Sequence, residues 1–298
     1  MKFRAFDLEE PIPELRNPHA FATLRPWVDM GSVGTLAFRS LERYLQAQEL
    51  AKLTRPGIFF DFTRYRPIIY NVEGERKVNV PNVTVRYARG TGENDFLFLH
   101  LLEPHMNGEG FVHSIVTLLE RFGVKRYCLM GGMYDLVPHT RPLLITGTAT
   151  GPQTLAQVRS LNVQASSYEG PTSIASLISQ EISELGIETM GLIAHLPQYA
   201  QLEEDHAGRL CLLETLSKLY GFTMDLERVR ERARRQHEEV NAAMNRSPEV
   251  KALVEQLEVQ YEERLRKKGE EGKQEEPPQL SSQIEDFLNQ MGDQFSQN

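Results

Sequence analysis

Residues 125–178 read KRYCLMGGMYDLVPHTRPLLITGTATGPQTLAQVRSLNVQASSYEGPTSIASLI. An apolar run at 127–130 ends on Gly131-Gly132, and a loop at 134–142 then carries Asp135, His139, Thr140 and Arg141. A second apolar run follows at 143–146, then Gly147 and two threonines. Near the end, Tyr168-Glu169-Gly170-Pro171-Thr172 opens a helical pattern at 173–185. Glycine admits positive φ and close backbone approach, and proline fixes φ and removes a donor. Such punctuation beside short apolar runs predicts strands that end in sharply turned loops. In open α/β sheets these loops are where ligands or partners meet the protein.

Outward from this stretch the same alternation continues. Short strands are predicted at 20–24, 57–62, 83–89, 96–102 and 188–194, and a β-hairpin at 68–72 and 76–80 around Gly74. The unbroken apolar run 96–102 is what a strand buried on both faces requires. Helical spacing predicts helices from about 35 to 51, over 109–122 and over 202–220, the last two closed by Gly123 and Gly221. The proline-broken residues 1–20 are expected to be a surface lead-in. Strands alternating with helices of this length indicate an α/β core with a largely parallel sheet.

From Asp225 the composition becomes charge-rich and nearly free of glycine. Ser247-Pro248-Glu249 has the pattern of a helix start, with serine at the cap and proline at the first position. Val250, Leu253, Leu257, Tyr261 and Leu265 then form one apolar stripe, which needs cover from the core, a neighbouring helix or another subunit. The chain therefore divides into a core at 1–222, a helical hairpin at 223–268, a polar linker at 269–280 and a tail at 281–298. In the tail, Ser282-Gln283-Ile284-Glu285 is a capping-box pattern. Ile284, Phe287, Leu288 and Met291 share one helical face, which suits docking onto a partner or packing on the chain's own core.

The 298 residues carry 33 Lys+Arg against 41 Asp+Glu, a net charge of −8. Nonspecific nucleic-acid binding needs clustered cationic charge, so nucleic acid is not an expected partner. Two cysteines, Cys128 and Cys211, sit in apolar contexts and fit a reducing cytosol. No apolar run is long enough to span a membrane, and the first residues lack a signal-peptide core. Cytoplasmic localisation is the expectation.

Candidate contact residues at strand ends are Asp29, Glu103, His105, Asp135, His139, Arg141, Tyr168, His195 and Tyr199, with Gly131 and Gly132 in the backbone between them. Gathered at one sheet edge, they could form an acid/base site or a protein contact. Gly31 and Gly34 enter a helix and could present N–H groups to an anion, or serve packing alone. No metal-binding helix motif, nucleophile elbow or phosphate-binding loop is present, and no cofactor is expected. Arg141 suits an ion pair, within the chain or across subunits.

The order of several short motifs resembles the proteasome assembly chaperone family, in the branch of the second chaperone of the pair. The pieces are Trp27-x-Asp29-x-Gly31-x-x-Gly34, Asp61-Phe62-x-x-x-Arg66-Pro67, Glu103-Pro104, Pro138-His139-Thr140-Arg141-Pro142, Gly147-Thr148, Tyr168-x-Gly170-Pro171 and His195-x-Pro197-x-Tyr199. They span roughly residues 20–220, and the helical extension is similar to that of longer prokaryotic members. The resemblance implies a three-layer α/β/α fold like that of nucleoside phosphorylases. It also implies homo-oligomers such as trimers, and assembly or scaffold work with proteasome-like or other protein complexes rather than catalysis. The alternative is a small-molecule binder or enzyme of that fold, the ATP-dependent carboxylate–amine ligases being one proposed kinship.

Overall fold

The computed structural model describes residues 1–161, 163–166 and 168–270. Its strands are β1 (Lys2–Phe3), β2 (Phe6–Leu8), β3 (His19–Arg25), β4 (Gln48–Leu53), β5 (Ile68–Val72), β6 (Glu75–Asn79), β7 (Thr84–Ala88), β8 (Phe96–Leu102), β9 (Arg126–Asp135), β10 (Ile145–Ala149), β11 (Gln164–Ala165) and β12 (Glu188–Pro197). Its helices are α1 (Val33–Tyr44), α2 (Gly108–Arg121), α3 (Pro152–Ser160), α4 (Ile174–Glu184), α5 (His206–Tyr220), α6 (Glu227–Met244) and α7 (Pro248–Glu270).

Ten strands form one mixed sheet in the order β1-β2-β4-β7-β8-β3-β9-β12-β10-β11. The four central strands, β8, β3, β9 and β12, run parallel, with Ala22 opposite both Leu99 and Leu129. Both flanks turn antiparallel, through β7 on one side and β10 on the other. The central strands are apolar at nearly every position because helices cover both faces. Along β3, Ala20, Ala22 and Leu24 face the core under α2 and α4, while Phe21 faces the core under α1 and α5. The molecule is thus a three-layer α/β/α fold.

Several sequence expectations fail for identifiable reasons. Residues 1–20 are not all surface lead-in. Phe6 and Leu8 are buried, and β2 pairs with β4 at the sheet flank. A three-residue strand is too short to show a period. The helix expected to reach 51 ends at Tyr44, and Gln46 takes a positive φ of 55°. Residues 48–53, QELAKL, contain good helix formers, but pairing with β2 and β7 overrides that preference. The strand expected at 57–62 is instead a 3-10 turn, Pro56–Ile58, followed by two buried phenylalanines that meet Phe111 of α2. Aromatic content there serves a plug rather than a pleat. Strand β9 does not stop before Gly131-Gly132 but runs through them to Asp135, and β12 runs past Ala194 through His195 to Pro197, because pairing between these two strands continues over those residues. The hairpin β5–β6 forms as a separate two-stranded sheet.

After Gly221, which ends α5 in the left-handed conformation, α6 packs on α5 through Leu226 and Val229. Helix α7 lies over loops of the sheet. Leu253, Val254 and Leu257 pack with Tyr199, Leu136 and Ala200, and Tyr261 packs with Val137 and Leu144. Leu257 is 1 % exposed, whereas Leu265 at the far end of the stripe stays exposed. The linker beyond 270 and the tail residues Ile284, Phe287, Leu288 and Met291 lie outside the described residues.

Candidate functional site at the carboxyl ends of the central strands

Parallel strands end together, so the segments after β3, β8, β9 and β12 meet at one edge. The chain leaves β3 at Arg25 and crosses over the end of β9. There Gly132 N–H donates to the Val28 carbonyl at 3.0 Å. A Cβ on Gly131 would stand 1.7 Å from that carbonyl oxygen, so only glycine permits the crossing. Gly31 has φ +57°, and its carbonyl accepts the Asp205 N–H at 2.7 Å.

Asp29 then turns into the start of α1. Its carboxylate accepts Gly34 N–H at 2.6 Å, Thr35 N–H at 3.1 Å and the Thr35 hydroxyl at 2.6 Å. Burial raises its pKa, against the pull of those three donors. The amides near Gly34 that could have bound an external anion are already bonded to this acid. A Cβ on Gly34 would meet Thr23 Oγ1 at 2.4 Å, so this glycine serves close packing.

Glu103, after β8, plays the same part for α4 by accepting Ile174 N–H at 2.9 Å, and burial raises its pKa. His105 accepts the Asp61 N–H at 3.2 Å through Nδ1 and lies against the Tyr65 ring.

His195 is 5 % exposed and links three strands. Its Nδ1 is 2.6 Å from Asp135 Oδ2, and its Nε2 is 2.8 Å from Thr146 Oγ1. Burial tends to raise the Asp135 pKa, but the His195 bond and charge, the Leu136 N–H and Arg264 bring it down to about 2. The atoms follow the order hydroxyl–imidazole–carboxylate of a nucleophilic triad. Thr146 and His195 line neither of the two hollows that border this edge, and with Asp135 they act as a latch across β10, β12 and β9.

His139 and Tyr199 form a second pair. The Tyr199 hydroxyl accepts His139 N–H at 2.7 Å and lies 2.7 Å from Nδ1. Since that hydroxyl oxygen already accepts one bond, its own proton is placed to donate to Nδ1. Burial, then the neighbouring His237, lower the His139 pKa, and burial raises that of Tyr199. Next in sequence, Thr140 bonds Glu258, and Arg141 bonds Glu258 at 3.1 Å and Glu262 at 2.8 Å, both on α7. Tyr261 donates to the Pro142 carbonyl at 2.9 Å. Helix α7 therefore clamps the whole Pro138–Pro142 segment. Tyr168 stands apart, exposed, with its hydroxyl on the Pro171 carbonyl.

Two hollows border this edge. A cavity of about 400 Å³ lies between the 139–143 loop, α5 and α6, next to His139, His237 and Cys211. An open cleft of about 800 Å³ lies between the β3 end and the base of the β5–β6 hairpin, beside Arg25, Asp29, Tyr65, Arg66, His100 and Tyr134. Of the glycines and polar residues expected at one edge, only Asp29 and Gly31 reach this cleft. Arg25, Tyr65 and Arg66 were not among those expected. The nearest signal was Arg64-x-Arg66-Pro67, two cations just before a hairpin.

Among the described residues no cluster of three or more His, Cys, Asp or Glu could hold a metal, and no helix is long and apolar enough to cross a membrane. Both cysteines are free thiols, with pKa values pushed up to about 12 by burial.

Comparison with known proteins places this geometry. A protein of unknown function from Corynebacterium glutamicum shares the fold at TM-score 0.78 and 23% identity, over 89% of this chain and 99% of that one. A PAC2 family protein from Streptomyces avermitilis matches at TM-score 0.71 and 26% identity, over 80% and 99%. A proteasome-assembly chaperone homologue from Mycobacterium tuberculosis matches at TM-score 0.70 and 22% identity, over 79% and 99%. No curated protein matches the chain. The sequence model of the PAC2 family matches residues 23–244, which include the α/β/α core from β3 onward and the loops built around Asp29, Gly131 and His139, and the chain belongs to that family.

Proposed function

We propose that this protein is a non-enzymatic assembly chaperone or scaffold, acting in the cytoplasm through protein contacts and as a homo-oligomer. The observation that carries this reading is how the polar groups at the sheet edge are spent. Asp29 and Glu103 cap helices, His195 is held between Asp135 and Thr146, and Arg141 is paired with α7. A general base or nucleophile needs a lone pair free to reach substrate. Asp29, His195 and Arg141 instead spend their polar atoms inside the fold, on the amides and hydroxyl at the start of α1, on Asp135 and Thr146, and on α7, while Glu103 spends one oxygen on α4 and its other is buried without a partner. Support also comes from the family and from the likeness to a proteasome-assembly chaperone homologue.

The test is affinity capture of the native full-length protein from its host, followed by reconstitution of any captured complex from purified parts. The expected result is a defined complex with proteasome subunits or another multisubunit assembly, and light scattering shows more than one copy of this chain. Recovery of no protein partner, with a monomer in solution, would overturn it.

A second reading rests on the 800 Å³ cleft. It sits where α/β folds bind small molecules, and Arg25 and Arg66 suit an anionic ligand. Native mass spectrometry of the freshly purified protein distinguishes the two. A bound small anion lost on Arg25→Ala/Arg66→Ala substitution favours the ligand reading.

A further inference from the structure

The β5–β6 hairpin is the element that the fold leaves uncovered. All ten of its residues are exposed, although Ile68, Ile69, Tyr70, Val72 and Val78 are apolar. A lone two-stranded ribbon is marginal in water, and apolar side chains gathered on one mark a contact surface. Its base, at Ile68, Asn79 and Val80, walls the cleft that Arg25 and Arg66 also border. The surface carries a small cationic excess, three basic residues against two acids. Among the described residues Arg66, Arg76 and Lys77 take no ion-pair partner, with Glu73 and Glu75 opposing them at the turn.

The chain beyond residue 270 has the complementary composition. It carries six acids, Glu271, Glu275, Glu276, Glu285, Asp286 and Asp293, against one lysine, Lys273. Its apolar residues Ile284, Phe287, Leu288 and Met291 are spaced to share one face. Geometry brings the two near each other. Arg264, in the last turns of α7, reaches Asp135 at the end of β9 at 3.4 Å. Its neighbour Tyr134 lines the cleft. The residues between 270 and 284 span up to ~45 Å when extended, ample for a domain of this size.

We propose that segment 284–291 of the same chain docks on the β5–β6 hairpin and its cleft. Its apolar face covers Ile69 and Val78 or Ile68 and Tyr70, and its acids meet Arg66, Arg76 and Lys77. An outside partner of the hairpin then has to displace this segment first. The inference holds whether or not the protein is an assembly factor.

Hydrogen exchange on the full-length chain tests it, against a full-length variant with Ile284, Phe287, Leu288 and Met291 all changed to Asp. Docking predicts that amides of 68–79 exchange about tenfold faster in the variant while the central strands are unchanged. A photo-crosslinking residue at Phe287, in a mixture of isotopically light and heavy chains, locates the contact. The expected cross-links join 287 to residues 66–80 within one chain. Their yield falls about tenfold in Arg66→Glu/Arg76→Glu, whose exposed sites leave the fold intact. Equal hairpin exchange in both proteins overturns the proposal. So do cross-links to another part of the chain, between light and heavy copies, or only to a foreign protein.

Discussion

The loop clamped by α7 and the β5–β6 hairpin are both polar-and-apolar mixtures at the same end of the molecule, yet they are stabilised in opposite ways. In the clamp Thr140, Arg141 and the Pro142 carbonyl all find polar partners on α7, and Leu257 and Tyr261 seal it with buried apolar contacts. In the hairpin the backbone ladder is complete, but its side chains have no cover among the described residues. Here the strand-end residues Asp29, His195 and Arg141 are bonded within the fold. The hairpin instead presents apolar side chains to solvent.

Four substitutions test that contrast. The largest effect is expected for Leu257→Asp, which puts a charge under α7 where the side chain is 1 % exposed. A loss of about 4 kcal/mol follows from the lost apolar burial plus the buried charge. Thermal melting reads it, and an unchanged Tm would mean that α7 is not part of the folded unit.

Gly131→Ala comes next. The added Cβ would overlap the Val28 carbonyl at 1.7 Å, so the crossing must move, at about 3 kcal/mol. Denaturant titration should show the loss without a change in slope, and a neutral result would mean that the crossing is loose.

Asp135 offers a pH test. Its folded pKa of about 2 lies below the ordinary aspartate value of 3.8. A depressed carboxylate stabilises the fold above the unfolded value, and that contribution disappears as pH falls through about 4 towards 2. The stability difference between the wild type and Asp135→Asn should be ~2 kcal/mol at neutral pH and shrink across that window. A difference that does not vary with pH would sink the latch reading of His195.

The smallest effect belongs to the hairpin. Ile69→Ser, at an exposed site, should change global stability by less than ~0.5 kcal/mol. A drop in Tm comparable to that of Leu257→Asp would show that the hairpin is core and not surface.

Much of the fold was legible because its signals are local. The run 96–102 had to be a doubly buried strand, and the 109–122 period had to be a helix, close to the observed Phe96–Leu102 and Gly108–Arg121. The segments misread were those whose state depends on distant partners. QELAKL is a strand only because β2 and β7 lie beside it, and Phe59-Phe60 is a plug only because Phe111 lies beneath it. Helix α3, opened by Gly151-Pro152, carries too few apolar residues to announce itself. At the edge, the residue types were legible but not their pairings. Nothing local shows that Arg141 meets Glu258 and Glu262 more than a hundred residues away, or that Asp29 occupies the amides of Gly34 and Thr35.

By itself the sequence determined the α/β alternation, the order of the PAC2 family motifs and the apolar stripe of α7, because period, turn residues and spacing are written in neighbouring positions. Only the tertiary structure decided that Asp29 caps α1, that His195 sits between Asp135 and Thr146, that α7 seals Thr140 and Arg141, and that the cleft opens instead beside Arg25, Arg66 and the bare hairpin. Such outcomes depend on which long-range partners meet, and hydrogen bonds and burial between distant residues leave no mark on local sequence.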